Sequence, residues 1–166
     1  MRALTGTVTV VVAEGRRVMR LARELAPAVF EALLAEYQRI MRTVFEEMGG
    51  RELEISGDTA AAAFPTAKQA ALAAVAAQRA VAAHEWPHAS KLAMSVGLHA
   101  GEARRAVMRA AELCDAAEGG QIFMTQTVSS LLEDEELGEL SVRDLGEVPL
   151  RRSDRQVRAY ELVVRD

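Results

Sequence analysis

Val8 to Ala13 is an almost uniformly apolar run, Val-Thr-Val-Val-Val-Ala from Val8 onward, built mostly from β-branched residues. Such residues favour the pleated backbone, and a strand with no polar alternation must be covered on both faces. A strand over Thr5 to Ala13 therefore lies centrally in a sheet with helices on each side, which excludes a helical bundle and a half-solvated meander. The run is also far too short to cross a bilayer. Glu14 follows directly, which spoils it as a signal-peptide core.

The rest of the chain supplies the layers. A short helix is expected from Arg16 to Leu25. A longer one runs from Pro27 to Met48, with Phe30, Leu33, Leu34, Tyr37, Met41, Val44, Phe45 and Met48 as its apolar stripe. Pro27 suits a first turn and Gly49-Gly50 a C-terminal stop. Arg51 to Ser56 and Thr59 to Phe64 read as strands joined by a tight Gly57-Asp58 turn. Thr66-Ala67-Lys68-Gln69 is a capping-box pattern opening an alanine-rich helix that ends near His84 and Trp86-Pro87. A strand over Lys91 to His99, a helix over Arg104 to Glu118, a strand over Gln121 to Thr125 and a short helix over Gln126 to Leu132 follow. Two last strands, Glu139 to Asp144 and Val157 to Val163, flank a polar, arginine-rich turn. The order predicts one α+β domain over residues 1–166, with a ferredoxin-like βαββαβ core and a mostly antiparallel sheet.

Composition narrows the partners. The formal net charge is −4, which gives no electrostatic case for nucleic acid or an anionic membrane. Only 4% of residues are aromatic while 50% are hydrophobic, so alanine and valine must carry the core through close helix–sheet packing. Cys114 is the one cysteine, which rules out an internal disulfide and fits a reducing, cytoplasmic location. It falls in an apolar helical pattern and reads as core. His84 and His88 flank Trp86-Pro87 without a third ligand at a telling distance, and read as surface residues.

Several segments, in the same order along the chain, resemble the catalytic domain of class III adenylate/guanylate cyclases. Val8 to Glu14 is similar to that family's first strand, and Gly49 to Asp58 to its second strand and "GD" turn. Phe64-Pro65 with the helix after it, Val96-Gly97-Leu98-His99-Ala100-Gly101-Glu102, Gly119-Gly120-Gln121-Ile122 and Asp144-Leu145-Gly146 continue the match. The resemblance implies the cyclase fold, a homodimer with its active site between subunits, and two aspartates that hold two metal ions, which activate the ribose 3′-hydroxyl of a nucleoside triphosphate and bind its phosphates. It also implies a purine-reading lysine, and an asparagine and arginine on one helix that orient the ribose and stabilise charge.

At those positions the sequence departs from the family. Glu14 stands for the first metal aspartate, its carboxylate about 1.5 Å further from the backbone. Asp58 matches the second, and is good turn chemistry with or without metal. Glu54 stands for the lysine, with Leu53 and Ile55 expected on the opposite face of an alternating strand. Met108 stands for the asparagine and reads as core or interface filler. Glu112 stands for the arginine and reads as an exposed helix residue, pairing with Arg109 or Arg105. The loop before that helix shrinks to Ala103-Arg104-Arg105 and holds no second purine-reading residue. Arg16 and Arg17 read as exposed arginines, a new anion site being the lesser alternative.

Two basic groups have become acidic around a polyanionic substrate. Like charges 4 Å apart cost about 4 kcal/mol at an effective dielectric of 20. The expectation is a degenerate, inactive cyclase-like domain acting as a signalling and protein-interaction module, with a homodimer or another protein as partner. No cofactor is expected beyond weak Mg²⁺ or Mn²⁺ at Glu14 and Asp58. The alternatives are a divergent adenylate or guanylate cyclase and a nucleotide sensor without turnover.

Overall fold

The computed structural model describes residues 6–165. Thr5, the expected first residue of the leading strand, lies outside them. Seven strands and five helices follow in the expected order. They are β1 (Thr7–Arg16), α1 (Val18–Glu24), α2 (Pro27–Glu47), β2 (Arg51–Ser56), β3 (Thr59–Phe64), α3 (Ala67–Ala83), β4 (Ala93–Glu102), α4 (Ala103–Ala116), β5 (Ile122–Met124), α5 (Gln126–Leu132), β6 (Leu140–Pro149) and β7 (Gln156–Val164), with one 3₁₀ turn at Pro87–Ala89. The sheet order is β2-β3-β1-β4-β5-β7-β6. Its first four strands are arranged as in a ferredoxin-like βαββαβ unit. Only β4 and β5 run parallel, and α4 is the crossover that parallel neighbours require. No helix among the described residues is long and apolar enough to cross a membrane.

β1 is central, as its composition demands. Val11 and Ala13 point into the larger core with Leu33, Tyr37 and Met41 of α2 and the alanines of α3. Val8, Val10 and Val12 point the other way, onto Ala106, Ala110 and Cys114 of α4. The strand runs three residues beyond the expected Ala13 and carries Glu14 within it, paired with Thr59 and Ser95. Small side chains bring the layers close. Ala70, Ala71, Ala73, Ala74 and Ala77 of α3 are fully buried. At Gly97 the backbone of α4 comes so near that a Cβ would sit 2.0 Å from the Ala110 carbonyl oxygen.

The helix ends follow their signals. Thr66 Oγ1 accepts from Gln69 N at 3.1 Å, the expected cap. Gly49, with φ of 85°, ends α2 in the left-handed region that glycine tolerates. Glu102 caps α4 by accepting from Arg104 N and Arg105 N, so β4 passes into α4 with no intervening loop.

One expectation about β2 is overturned. A bulge between Glu52 and Glu54 inserts an extra residue against β3. Leu53 consequently packs on the α4 side and Ile55 on the α2–α3 side, not on a shared face.

Candidate functional site

Glu14 and Asp58 are brought together by backbone bonds. Gly15 N donates to Asp58 O at 3.0 Å, which ties the end of β1 to the β2–β3 turn. From the other side, α2 clamps that turn: Tyr37 OH donates to Asp58 O at 3.0 Å and Gln38 Nε2 to Gly57 O at 2.8 Å. Gly15 has to be small here, because a Cβ would meet Val18 at 2.6 Å and Tyr37 at 3.2 Å. Both carboxylates line a crevice of about 660 Å³ beside Arg17, Arg20 and Lys91.

The electrostatics of the pair are strained. Partial burial raises the Glu14 carboxyl above its ordinary value, and the charge of Asp58 adds to this while Arg16 offsets part of it. Partial burial raises Asp58 as well, against hydrogen bonds from its own backbone and Thr59. Two partly buried carboxylates whose charged forms are disfavoured by burial are a donor type that suits a divalent cation. Among the described residues, no group of three or more His, Cys, Asp or Glu side chains is placed to hold a metal. A cation here would have two protein carboxylates, and water or ligand oxygens would have to complete its shell.

Arg16 is not the exposed residue expected. Its side chain is 21% exposed. It crosses to the end of α4 and donates to the carbonyls of Cys114, Asp115 and Ala117 at 3.1, 3.0 and 2.6 Å. It thus satisfies carbonyls that a helix leaves unpaired. Arg17, in the left-handed region at φ of 71°, is exposed.

A second cleft, about 480 Å³, opens on the α4 side of β1 and shares Glu14 and Arg151 with the first crevice. Met108 and Glu112 line it, one helical turn apart. Met108 is 67% exposed and therefore not core filler. Glu112 is half-buried and faces Arg155 at 3.9 Å, not Arg105 or Arg109. Glu54 lines neither cleft; it is exposed on edge strand β2. The structure therefore groups Glu14, Met108 and Glu112 around one cleft, adds Asp58 at the adjoining crevice, and leaves Glu54 outside.

The residues missed by sequence reasoning are Arg151, Arg152 and Arg155. Their signal was the arginine density of the turn before β7. Its fold-back over α4 is a tertiary fact. Cys114 is buried as expected, and burial pushes its thiol up to about 12. His99 Nδ1 pairs with Thr125 Oγ1 at 2.8 Å. Burial and then Arg109 lower its pKa. His84, a partly exposed residue, lies with its ring tilted at 56° to that of Trp86, the centroids 4.3 Å apart.

No protein-family model matches the sequence, and no curated protein matches it. Solved structures do. Adenylate cyclases from Trypanosoma brucei in their monomeric state align with a TM-score of 0.82 and 21% identity, over 98% of this chain and 90% of that one. The adenylyl cyclase CyaB from P. aeruginosa aligns with a TM-score of 0.78 and 20% identity, over 100% and 98%. The guanylate cyclase domain of RhGC from Catenaria anguillulae, in complex with GTP, aligns with a TM-score of 0.83 and 12% identity, over 97% and 98%. The chain has the fold of adenylate and guanylate cyclase catalytic domains. At these identities the likeness carries the fold and not the chemistry.

Proposed function

We propose that this chain keeps the cyclase fold without cyclase chemistry and serves as a signalling and protein-interaction module, with a second copy of itself as one partner. The observation that carries this reading is the ion pair in the α4 cleft. Glu112 stands where the resemblance places a cation for the substrate, and it faces the chain's own Arg155 at 3.9 Å. Met108 offers the same cleft a thioether in place of a hydrogen-bonding amide. Glu54, at the purine-reading position, lines neither cleft. Base recognition, ribose orientation and charge stabilisation each lack their group. Loss of one preorganised donor commonly costs about 10²–10³ in rate.

Chromatography of ATP or GTP incubated with the chain and Mn²⁺ is expected to give no cyclic nucleotide. A robust product peak that disappears in Asp58→Ala refutes the reading and makes the chain a divergent adenylate or guanylate cyclase. Glu14→Asp, Glu54→Lys, Met108→Asn and Glu112→Arg together are expected to recover little, because β4 runs into α4 without the loop that carries the second purine-reading residue.

One observation favours a second reading, a nucleotide sensor without turnover. Glu14 and Asp58 still meet beside Arg17, Arg20 and Lys91. A divalent cation held by the two carboxylates would supply charge neutralisation for bound phosphates. Thermal shift separates the two readings, since a ligand that binds only the folded chain must raise its melting temperature. A rise with ATP or GTP plus Mn²⁺, absent with either alone, supports the sensor; no rise supports the interaction module.

A further inference from the structure

The turn between β6 and β7 reads Arg151-Arg152-Ser153-Asp154-Arg155, and all five residues are exposed. It carries no apolar side chain, so no hydrophobic burial holds it down. Its root is fixed instead. Leu150, just before it, is 6% exposed and donates its N–H to Arg155 O at 3.1 Å. Beyond that root the turn lies across the last part of α4, where each arginine meets an acid. Arg155 faces Glu112 at 3.9 Å, Arg152 faces Asp115 at 3.6 Å, and Arg151 faces Glu118 at 2.8 Å. The acids recur every three residues, which aligns them along one side of the helix and just past its end. The residues from Leu150 to Arg155, apart from Asp154, form one wall of the 480 Å³ cleft. Arg151 also lines the neighbouring crevice that contains Asp58.

We propose that the Arg151–Arg155 turn is a salt-labile strap along one wall of the cleft over α4, and that release of its three ion pairs swings it off the helix and widens the cleft beside Glu14 and Glu112. The inference goes beyond the function proposed above and holds for any occupant of the cleft. The physical basis is the kind of bond used. Exposed ion pairs are weak and screened by salt, unlike buried contacts. Arg152 is 90% exposed against Asp115 at 24%, and Glu118 is 74% exposed against Arg151 at 46%, so each of these two pairs has at least one member largely in solvent. Such a seam holds at low ionic strength and opens without unfolding the sheet behind it. Salt would not screen an apolar seam in this way.

The test measures strap position directly in the full chain. Spin labels are placed at Ser153→Cys on the strap and Arg104→Cys at the start of α4, in a Cys114→Ala background. Pulsed dipolar spectroscopy then reads the distance between them. At roughly 0.01 M salt, where the Debye length is about 30 Å, one narrow distance is expected. At roughly 1 M salt, where it is about 3 Å, a second and longer distance should appear. The closed-to-open ratio should fall about tenfold, equivalent to about 1.4 kcal/mol shared among three pairs. Arg151→Glu, Arg152→Glu and Arg155→Glu together should give the open distance even at low salt. Adding Glu112→Arg, Asp115→Arg and Glu118→Arg should restore the narrow one. A distance that ignores both salt and charge reversal overturns the proposal and makes the turn a rigid part of the fold. Failure of the swapped set to close again, with its melting temperature retained, overturns it equally. The salt series needs no charge variant, so a misfolded charge variant cannot decide the result.

Discussion

Gly97→Ala tests how α4, the helix that carries Met108 and Glu112, is seated. An alanine Cβ there would lie 2.0 Å from Ala110 O, 2.5 Å from Cys114 N and 3.1 Å from Ala110 C. All three are backbone atoms, so no side chain can rotate away. To restore ordinary contact, α4 must retreat by about 1.4 Å. Its seam against the sheet is formed by Ala106, Ala110, Leu113 and Cys114, each 0–1% exposed. A gap of about 1 Å forfeits a quarter to a half of each dispersion contact along such a seam. Overpacking usually costs about 1–3 kcal/mol, and the backbone clash puts this site at the upper end, about 3 kcal/mol. For a domain of this size each kcal/mol lowers Tm by about 2–4 °C, so calorimetry should show a fall of about 6–12 °C. Gly101→Ala is the control, because its Cβ would meet only His99 side-chain atoms at 3.7 and 3.9 Å. Its Tm should stay within about 2 °C of the parent. If Gly97→Ala also stays within that margin, α4 is not held by backbone approach and the reasoning fails.

The raised carboxyls predict a pH effect with a definite sign. A group whose folded pKa lies above its unfolded one stabilises below the unfolded value, and that stability is lost as pH rises through the folded value. Glu14→Gln should therefore melt higher than the parent at neutral pH, with the gap closing as pH falls through the raised folded value and absent below the ordinary glutamate value of 4.5; a gap that widens in acid contradicts it. Calorimetric titration with Mn²⁺ or Ca²⁺ should give a weak saturable heat that Asp58→Ala abolishes, and identical heats from both proteins mean that the carboxylate pair holds no cation. Sedimentation should show a homodimer at micromolar concentration, and a species of only 18.0 kDa at high concentration removes that expectation.

Much of this molecule is written in local patterns. The Val8 to Ala13 run required a central strand, because β-branched residues without polar alternation need cover on both sides. The two-residue period of a strand puts Val8, Val10, Val12 and hence Glu14 on one face of β1, the face that α4 covers. The Gly57-Asp58 turn, the Thr66 cap and the stop at Gly49 are chemistry between near neighbours, so seven strands and five helices were legible in order. The cyclase-like motifs likewise led to the fold that the solved structures share. What the sequence could not disclose lies between distant residues. A bulge at Glu52/Glu54 separates Leu53 from Ile55, and periodicity cannot foresee an inserted residue. Arg16 reaches the carbonyls at the end of α4, 98 to 101 residues away. Met108 and Glu112 share a helical face by spacing alone. That Glu112 is half-buried there and meets Arg155 instead of Arg109 depends on where the β6–β7 turn folds back. Local preference is set by each residue and its neighbours along the chain, whereas charge pairing depends on distance in space, which only the folded sheet determines.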